Sequence, residues 1–266
     1  MSTVTSKDGT TIGYDTIGQG PAVVLVDGAT GYRGAFGGAS ELARLLAPHF
    51  TVYTYDRRGR GESSDTQPFA VAREVEDIEA LIEAAGGAAY LYGISSGGAL
   101  ALEAALGLPG KVTKLAIYEA PYDDSDAGVR AWQAYRTTLD ELIAAGQRGD
   151  AIALFMRFVG VPDEMLAGMR QSPMWPTLEA VAPTLRYDAA ALGADRTVPT
   201  ARAAALTIPT LIMDGGASLE MMPFMRASAE ALAQAIPHAQ HQVLPGQQHD
   251  VDPKVLAPAL IAFFGT

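Results

Sequence analysis

One short turn constrains the fold of this chain more than any other segment. It carries Gly93, Ser95 and Gly97, and it joins a predicted strand, Ala89–Tyr92, to a predicted helix, Ser96–Leu106. A strand-to-helix turn this tight holds the residue at its tip in an unfavourable backbone conformation, and small neighbours relieve the crowding. The serine hydroxyl then projects above the sheet edge, in front of the free N–H groups of the helix N-terminus. The turn therefore predicts Ser95 as a nucleophile.

Short β-branched strands alternate with amphipathic helices along most of the chain. This alternation predicts a mostly parallel sheet with helices on both faces. The first two strands are joined too closely for a crossover, so that edge is expected to be antiparallel. The predicted strands are Thr11–Thr16, Ala22–Val26, Thr51–Tyr55, Ala89–Tyr92, Lys114–Tyr118, Thr210–Met213 and Gln240–Leu244. The predicted helices of this part are Ser40–Leu46, Val71–Ala85, Ser96–Leu106, Met222–Ile236 and Pro253–Phe264.

The alternation breaks between the fifth and sixth predicted strands. Residues 121–208 contain only helical patterns and loops, so the chain divides into a core of residues 1–120 and 209–266 and a helical insertion. The insertion would lie at the carboxyl ends of the strands, where open α/β sheets bind ligands. Its predicted helices are Val129–Ala145, Asp150–Phe158, Pro162–Met169 and Trp175–Leu192. Most of its large apolar side chains are expected to pack internally, and four are predicted to contact substrate: Trp132, Tyr135, Phe155 and Trp175.

Composition excludes several classes of function. The formal net charge of −11 makes nucleic acid and anionic membranes unlikely partners. The chain has no cysteine, which excludes disulfides, thiolate metal sites and cysteine nucleophiles. Residues 1–10 lack the apolar core of a signal peptide, and no apolar run approaches the ~20 residues of a membrane helix. We therefore expect a soluble cytoplasmic protein that acts on a small molecule, and its oligomeric state stays open.

A serine hydroxyl needs a base to accept its proton. Of the four histidines, His249 alone follows the last predicted strand and precedes the last predicted helix. That position puts it at the carboxyl edge of the sheet, on the same side as Ser95. Ser96 is a rival nucleophile, but the same pattern centred on it would need glycine where the chain has Ile94. The sequence thus predicts His249 as the base of Ser95.

A second glycine-containing loop follows the apolar strand Ala22–Val26. A hydrolytic serine needs two N–H groups for the developing oxyanion, one of them from a loop in this position. We expect these donors to be the N–H groups of Ala29 and Ser96. Gly28 would let the backbone approach the substrate closely.

Four landmarks in order carry a resemblance to a known family: the loop Asp27–Ala29, the turn Tyr55–Ser63, the elbow Gly93–Gly97 and the loop Gly246–His249. The chain resembles the α/β-hydrolase superfamily over nearly its whole length, in the branch of esterases and cofactor-free haloperoxidases. The turn resembles the D-x-R-G-x-G-x-S sequence of that branch, and we expect it to have a structural role. The resemblance implies an α/β fold with an eight-stranded, mostly parallel sheet and a helical cap inserted before the last two strands. It also implies acyl-enzyme chemistry without a cofactor or metal.

The chain departs from the family pattern at two positions. Family members usually have histidine where this chain has Asp27, which either alters the hydrogen bonding of the oxyanion loop or adds a charge near the site. The position of the usual acid, after the strand Thr210–Met213, holds Ser218. Glu119, which follows the strand Lys114–Tyr118, is the first alternative for the acid and Asp214 the second. Asp250 would point the wrong way, and a dyad without an acid stays open.

The favoured function is hydrolysis of an ester, thioester or lactone of a small to medium hydrophobic substrate through an acyl-enzyme. The same site could instead serve perhydrolysis, C–C bond hydrolysis, acyl transfer or a lyase reaction. A non-catalytic ligand-binding protein on a hydrolase scaffold is a further alternative. Epoxide hydrolases and haloalkane dehalogenases are set aside, because they need aspartate where this chain has Ser95.

Overall fold

The computed structural model describes residues 2–34, 38–220 and 222–266. Within these residues, eight strands form one sheet in the order β1-β2-β4-β3-β5-β6-β7-β8. The strands are β1 (Ser2–Thr5), β2 (Thr11–Ile17), β3 (Ala22–Val26), β4 (Thr51–Tyr55), β5 (Ala89–Ile94), β6 (Val112–Tyr118), β7 (Thr210–Gly215) and β8 (Gln240–Leu244). From β4 to β8 every neighbouring pair is parallel. The predicted eight-stranded, mostly parallel sheet is therefore confirmed.

The antiparallel edge differs in detail from the sequence-based expectation. β2 does not pair with the next strand along the chain; it pairs with β4, in antiparallel register from Tyr14 opposite Tyr55 to Ile17 opposite Val52. The sequence patterns also missed β1, which pairs antiparallel with β2. β1 has only four residues and most of them are exposed, so no apolar run marks it. A short, mostly polar strand is a common way to end a sheet without exposing an edge that could pair with another chain.

Helices cover both faces of the sheet. The helices are α1 (Gly38–Leu46), α2 (Val71–Ala84), α3 (Ser96–Gly107), α4 (Asp126–Ala144), α5 (Arg148–Phe158), α6 (Asp163–Arg170), α7 (Trp175–Val181), α8 (Leu185–Ala191), α9 (Thr200–Ala203), α10 (Phe224–Ala235) and α11 (Pro253–Phe264). α1 and α11 pack on one face, around a core that includes Leu46, Val52 and Phe264. α2, α3, α10 and the helices between β6 and β7 share a second core on the other face.

The chain between β6 and β7 contains helices α4 to α9, and some of their boundaries differ from those predicted. Residues 175–192, predicted as one helix, form α7 and α8 separated by a 3-10 turn at Ala182–Thr184. Pro183 explains the break, because proline lacks the N–H that a continuous helix would need. α9 was not predicted, and it is a single turn of four residues. Among the described residues, no helix combines the length and apolar character that crossing a membrane requires.

Candidate active site

Ser95 lies directly between β5 and α3. Its φ is 57°, in the left-handed region that residues other than glycine rarely adopt. The flanking glycines are required sterically: a Cβ at position 93 would lie 2.4 Å from the carbonyl oxygen of Gly97, and one at position 97 would lie 2.2 Å from that of Val26. The Ser95 N–H donates to the carbonyl of Tyr118 on the neighbouring strand, at 3.0 Å. The turn thus has the strained geometry that the sequence predicts.

The loop after β3 runs against this turn. A Cβ on Gly28 would lie 3.0 Å from Cβ of Ser95 and 3.6 Å from its Oγ. Only glycine allows the two backbones to approach so closely. Thr30 in the same loop has a left-handed φ of 61° and is buried. The structure therefore brings the loop that carries Ala29 next to Ser95.

Glu119 and His249 are in contact although 130 residues separate them in sequence. His249 Nδ1 lies 2.8 Å from Glu119 Oε2. Glu119 Oε1 accepts a hydrogen bond from the N–H of Gly215, also at 2.8 Å. The loop before His249 is held by the Tyr118 hydroxyl, which donates to the carbonyl of Gln248 at 2.6 Å. The carboxylate is fully buried, whereas about a third of the His249 side chain is exposed.

The surroundings of Glu119 favour its ionised form. Burial acts to raise the pKa of this carboxyl. Hydrogen bonds to His249 and from the Gly215 N–H, together with the nearby Ser218 side chain, outweigh burial, so the pKa lies below its ordinary value. Ser218, which occupies the usual place of the acid, therefore lies beside the carboxylate that contacts His249.

Asp214, the alternative acid, contacts a different histidine. Its Oδ1 lies 2.6 Å from Nε2 of His241, and its Oδ2 accepts from the guanidinium of Arg226. The carboxylate is almost completely buried. Its partners thus come from β8 and α10, and the geometry favours Glu119 as the partner of His249.

A buried ionic network lies beneath the loop of Gly28. It links the turn after β4 to helix α8 through the carboxylate of Asp188. This carboxylate accepts hydrogen bonds from Arg57 Nη1 at 2.6 Å, Arg60 Nη2 at 2.6 Å and the Ser96 hydroxyl at 2.8 Å. Both arginines and Asp188 are nearly inaccessible to solvent. Buried charges persist in a fold only when they are paired in this way.

The turn after β4 also has the internal bonds of a structural element. Asp56 accepts hydrogen bonds from the N–H groups of Arg33 and Glu62, at 2.8 and 2.9 Å. The Ser63 hydroxyl donates to the carbonyl of Asp56 at 2.6 Å. A Cβ at Gly61, where φ is 52°, would collide with the Asp56 carboxylate. These contacts agree with the structural role expected for the turn.

Asp27 introduces an ionisable group at the start of the same loop. Burial raises the pKa of its carboxyl to about 6, although the nearby Arg60 and Arg57 act to lower it. Arg57 Nη1 also donates to the backbone carbonyl of Asp27, at 3.2 Å. The departure from the family pattern thus places a titratable carboxyl beside the oxyanion loop.

The four aromatic side chains predicted to contact substrate have packing partners of their own. Trp132 stacks on Tyr135 with ring centroids 5.3 Å apart, and its Nε1 donates to the carbonyl of Gly193. Trp175 Nε1 donates to Glu179 at 3.0 Å. Phe155 is partly buried against the same apolar core. Their contact with substrate stays a prediction.

Sequence reasoning missed Asp188 and the two arginines that it binds. Asp188 was seen only as part of the predicted helix Trp175–Leu192, and Arg57 and Arg60 only as part of a structural turn. One signal was available: the turn has three arginines in six residues of an acidic chain. Such a cluster, directly after a buried strand, needs carboxylate partners from elsewhere in the chain.

Known proteins share the family and the fold of this chain. The chain matches the alpha/beta hydrolase family over residues 23–259. It is similar to the pimeloyl-acyl carrier protein methyl ester esterase of Xanthomonas campestris pv. campestris (strain B100), with 37% identity over 155 residues. That match covers 52% of this chain and 58% of the esterase, so the chain spans little more than half the length of the curated relatives it matches.

Solved structures extend the similarity to the whole chain. An alpha/beta hydrolase from Sphaerobacter thermophilus DSM 20745 is 51% identical, with a TM-score of 0.88 over 99% of this chain and 100% of that one. A thermophilic esterase from Thermogutta terrifontis has a TM-score of 0.71 over 99% of this chain and 97% of that one. Its sequence identity is 24%, so this similarity shows the fold alone. The prediction of a hydrolase enzyme of the α/β type is confirmed. Since the family match covers most of the sequence, the chain belongs to the alpha/beta hydrolase family.

Proposed function

We propose that the protein is a serine hydrolase that cleaves carboxylic esters, thioesters or lactones of small to medium hydrophobic molecules. The observation that carries the proposal is the 2.8 Å contact between His249 Nδ1 and the buried carboxylate of Glu119. Glu119 follows β6 at the register where Ser95 follows β5, because Ile94 pairs with Tyr118. A carboxylate at this place orients the imidazole and stabilises its protonated form, as a triad requires.

The reaction begins when Ser95 Oγ attacks the substrate carbonyl carbon. His249 takes the serine proton on Nε2, while Glu119 holds the Nδ1–H. The carbonyl oxygen becomes negative, and the N–H groups of Ala29 and Ser96 donate to it. The tetrahedral intermediate collapses when the C–O or C–S bond to the leaving group breaks, and His249 protonates that group. Water then repeats the sequence: it loses a proton to His249, attacks the acyl carbon and releases Ser95 with its proton restored.

We propose residues 121–208 as a cap over this site. Asp188 of α8 bonds to Ser96, the residue after the nucleophile, so part of the insertion lies directly against the elbow. Trp132, Tyr135, Phe155 and Trp175 give the insertion an apolar interior that suits a hydrophobic acyl or alcohol portion. The name of a similar protein, a methyl ester esterase, supports ester hydrolysis as the first activity to test.

The test is turnover of p-nitrophenyl esters of increasing acyl length, together with labelling by a fluorophosphonate probe. The wild-type protein should hydrolyse the esters and gain the mass of one probe. Ser95→Ala should abolish both reactions. Ser125→Ala, which removes the hydroxyl that caps α4, serves as the matched control and should retain both. If the wild-type protein neither turns over an ester nor reacts with the probe, the proposal is wrong, and a non-catalytic ligand-binding function on a hydrolase scaffold takes its place.

A further inference from the structure

Asp188 connects the two segments that supply the proposed oxyanion donors, the serine turn and the loop of Ala29. It lies on α8 in the insertion, whereas its partners Arg57, Arg60 and Ser96 belong to the core. The Ser96 hydroxyl donates directly to Asp188 Oδ1 at 2.8 Å. Ser96 supplies one of the two proposed oxyanion donors through its backbone N–H. Asp188 therefore touches the side chain of the residue whose backbone would bind the oxyanion.

The second proposed donor is reached through Arg60. The Nη2 of this arginine donates to Asp188 Oδ2 at 2.6 Å. Its Nη1 donates to the carbonyls of Gly28 at 2.7 Å and Gly31 at 3.1 Å. These two carbonyls lie on either side of Ala29 in sequence. One guanidinium thus holds the loop of Ala29 at both ends and is itself held by Asp188.

The charges of the network are arranged to keep Asp188 ionised. Arg57, its other cationic partner, also forms a two-point ion pair with Glu74, at 2.7 and 2.9 Å. Burial acts to raise the pKa of Asp188, but Arg60, Arg57 and the Ser96 hydroxyl together hold it below its ordinary value. Both oxygens of this carboxylate therefore accept hydrogen bonds from side chains of the serine turn or of residues that bind the oxyanion loop.

We propose that Asp188 is a positioning residue that fixes both N–H donors of the oxyanion hole, Ser96 directly and Ala29 through Arg60. The inference rests on the proposed serine-hydrolase function and adds a requirement to it: helix α8 must be seated for the hole to be formed. Donors act on an oxyanion only when they are aimed where the charge develops, so a loosened loop lowers the rate of the chemical step. Substrate affinity in the ground state depends far less on that aim.

The experiment compares Asp188→Asn with Asp77→Asn. Asp77 is an equally buried carboxylate on α2 that pairs with Arg58, at 2.7 and 2.8 Å, and neither residue contacts Gly28, Gly31 or Ser96 among the contacts of the described chain. Asp188→Asn should lower kcat by about 10- to 100-fold and leave KM nearly unchanged. A boronic acid, which forms a tetrahedral adduct with Ser95, should bind more weakly in the same proportion. Asp77→Asn should lower thermal stability without changing kcat or boronate affinity.

Ser96→Ala removes the hydroxyl that donates to Asp188 and leaves every ion pair of the network in place. It keeps the backbone N–H and should lower kcat by about tenfold, again with little change in KM. If Asp188→Asn does not fold, Ser96→Ala alone decides. The inference is wrong if the folded variants retain wild-type kcat and boronate affinity, if KM alone changes, or if Asp77→Asn loses as much kcat. A wild-type protein that reacts with neither ester nor boronate would overturn the proposed function, and the inference with it.

Discussion

Ser95 and Glu119 occupy equivalent places, one residue beyond the ends of two neighbouring parallel strands, and both have a left-handed backbone. Their φ angles are 57° and 46°. Each is anchored to the next strand: Ser95 N–H donates to the carbonyl of Tyr118, and Glu119 N–H to that of Met213, both at 3.0 Å. Such strain costs about 1–3 kcal/mol per residue and persists only where the surrounding structure imposes it. The sheet itself therefore sets the spacing between the proposed nucleophile and the proposed acid.

The first prediction separates the two candidate acids. Glu119→Gln removes the charge that faces His249 but keeps the size of the side chain. We expect kcat for a p-nitrophenyl ester to fall by about 10³- to 10⁴-fold, because the imidazole loses both its orientation and its counter-charge. Asp214→Asn is the matched control, since this buried carboxylate pairs with His241 and Arg226. It should lower stability and leave turnover by the folded protein unchanged; the reverse pattern would assign the acid to Asp214.

The second prediction concerns the close approach of Gly28 to the serine turn. An alanine Cβ there would lie 3.0 Å from Cβ of Ser95 and 3.1 Å from the carbonyl oxygen of Ile94. We expect Gly28→Ala to displace the loop by a few tenths of an ångström and to lower kcat/KM by about 10- to 100-fold. Thermal unfolding should shift little, because the loop can move away from the turn.

The control for this substitution is Gly168→Ala. Gly168 lies in α6, and a Cβ there would meet open space. Alanine at this position should leave kcat/KM unchanged and raise the free energy of unfolding by up to about 1 kcal/mol through its higher helix propensity. Equal activities of the two variants would show that the approach of Gly28 to Ser95 does not matter for catalysis.

The third prediction is a pH dependence of stability that arises from Asp27. Its pKa in the folded protein is about 6, above the ordinary 3.8, chiefly because the partly buried carboxyl loses hydration. The folded state therefore binds this proton more tightly than the unfolded chain does. The contribution of Asp27 to stability is largest below pH 4 and declines as the pH rises through 6, by up to about 3 kcal/mol.

Asp27→Asn removes this titration. Relative to the wild-type protein, the variant should gain free energy of unfolding between pH 4.5 and pH 8, measured by urea denaturation at each pH. Asp140→Asn, which also removes one carboxyl but at a mostly exposed position, is the control. A difference for Asp27→Asn that stays constant with pH would mean that its carboxyl is ionised across the whole range.

Local patterns in the sequence predict strands β2 to β8 and the turn that carries Ser95. Parallel strands buried on both faces appear as continuous apolar runs, and β3 is such a run. The glycines around Ser95 mark a turn whose sterics exclude larger residues. The contact of His249 with Glu119 agrees with the first choice of acid, because both residues follow strands and the carboxyl ends of parallel strands meet at one edge.

The remaining features depend on contacts between distant segments. Asp188 is 92 residues from Ser96 and 128 from Arg60, and no periodicity marks a partner at such separations. β1 was missed for a different reason: three of its four residues are polar, and only its pairing with β2 makes it a strand. A sequence pattern records which surfaces are buried but not which buried charges meet.

The last prediction concerns Arg196, a buried cation between the insertion and α10. Its guanidinium lies 5.4, 5.2 and 5.1 Å from the ring centroids of Trp132, Phe158 and Phe224. It also forms an ion pair with Asp123 at 3.3 Å. Arg196→Met should lower the free energy of unfolding by about 3 kcal/mol, because the partly buried Asp123 loses its counter-charge and three aromatic faces lose a cation.

Two further variants isolate the cause of that loss. The double variant Arg196→Met/Asp123→Asn should recover part of the stability, since no uncompensated charge then remains. Arg157→Met breaks an ion pair with Asp163 in which both side chains are more than half exposed, and it should cost less than about 0.5 kcal/mol. Urea denaturation of the wild-type protein, of these three variants and of Asp123→Asn alone provides the comparison. If the double variant is less stable than Arg196→Met by the full effect of Asp123→Asn alone, the two residues are uncoupled and Arg196 stabilises the fold through its aromatic contacts only.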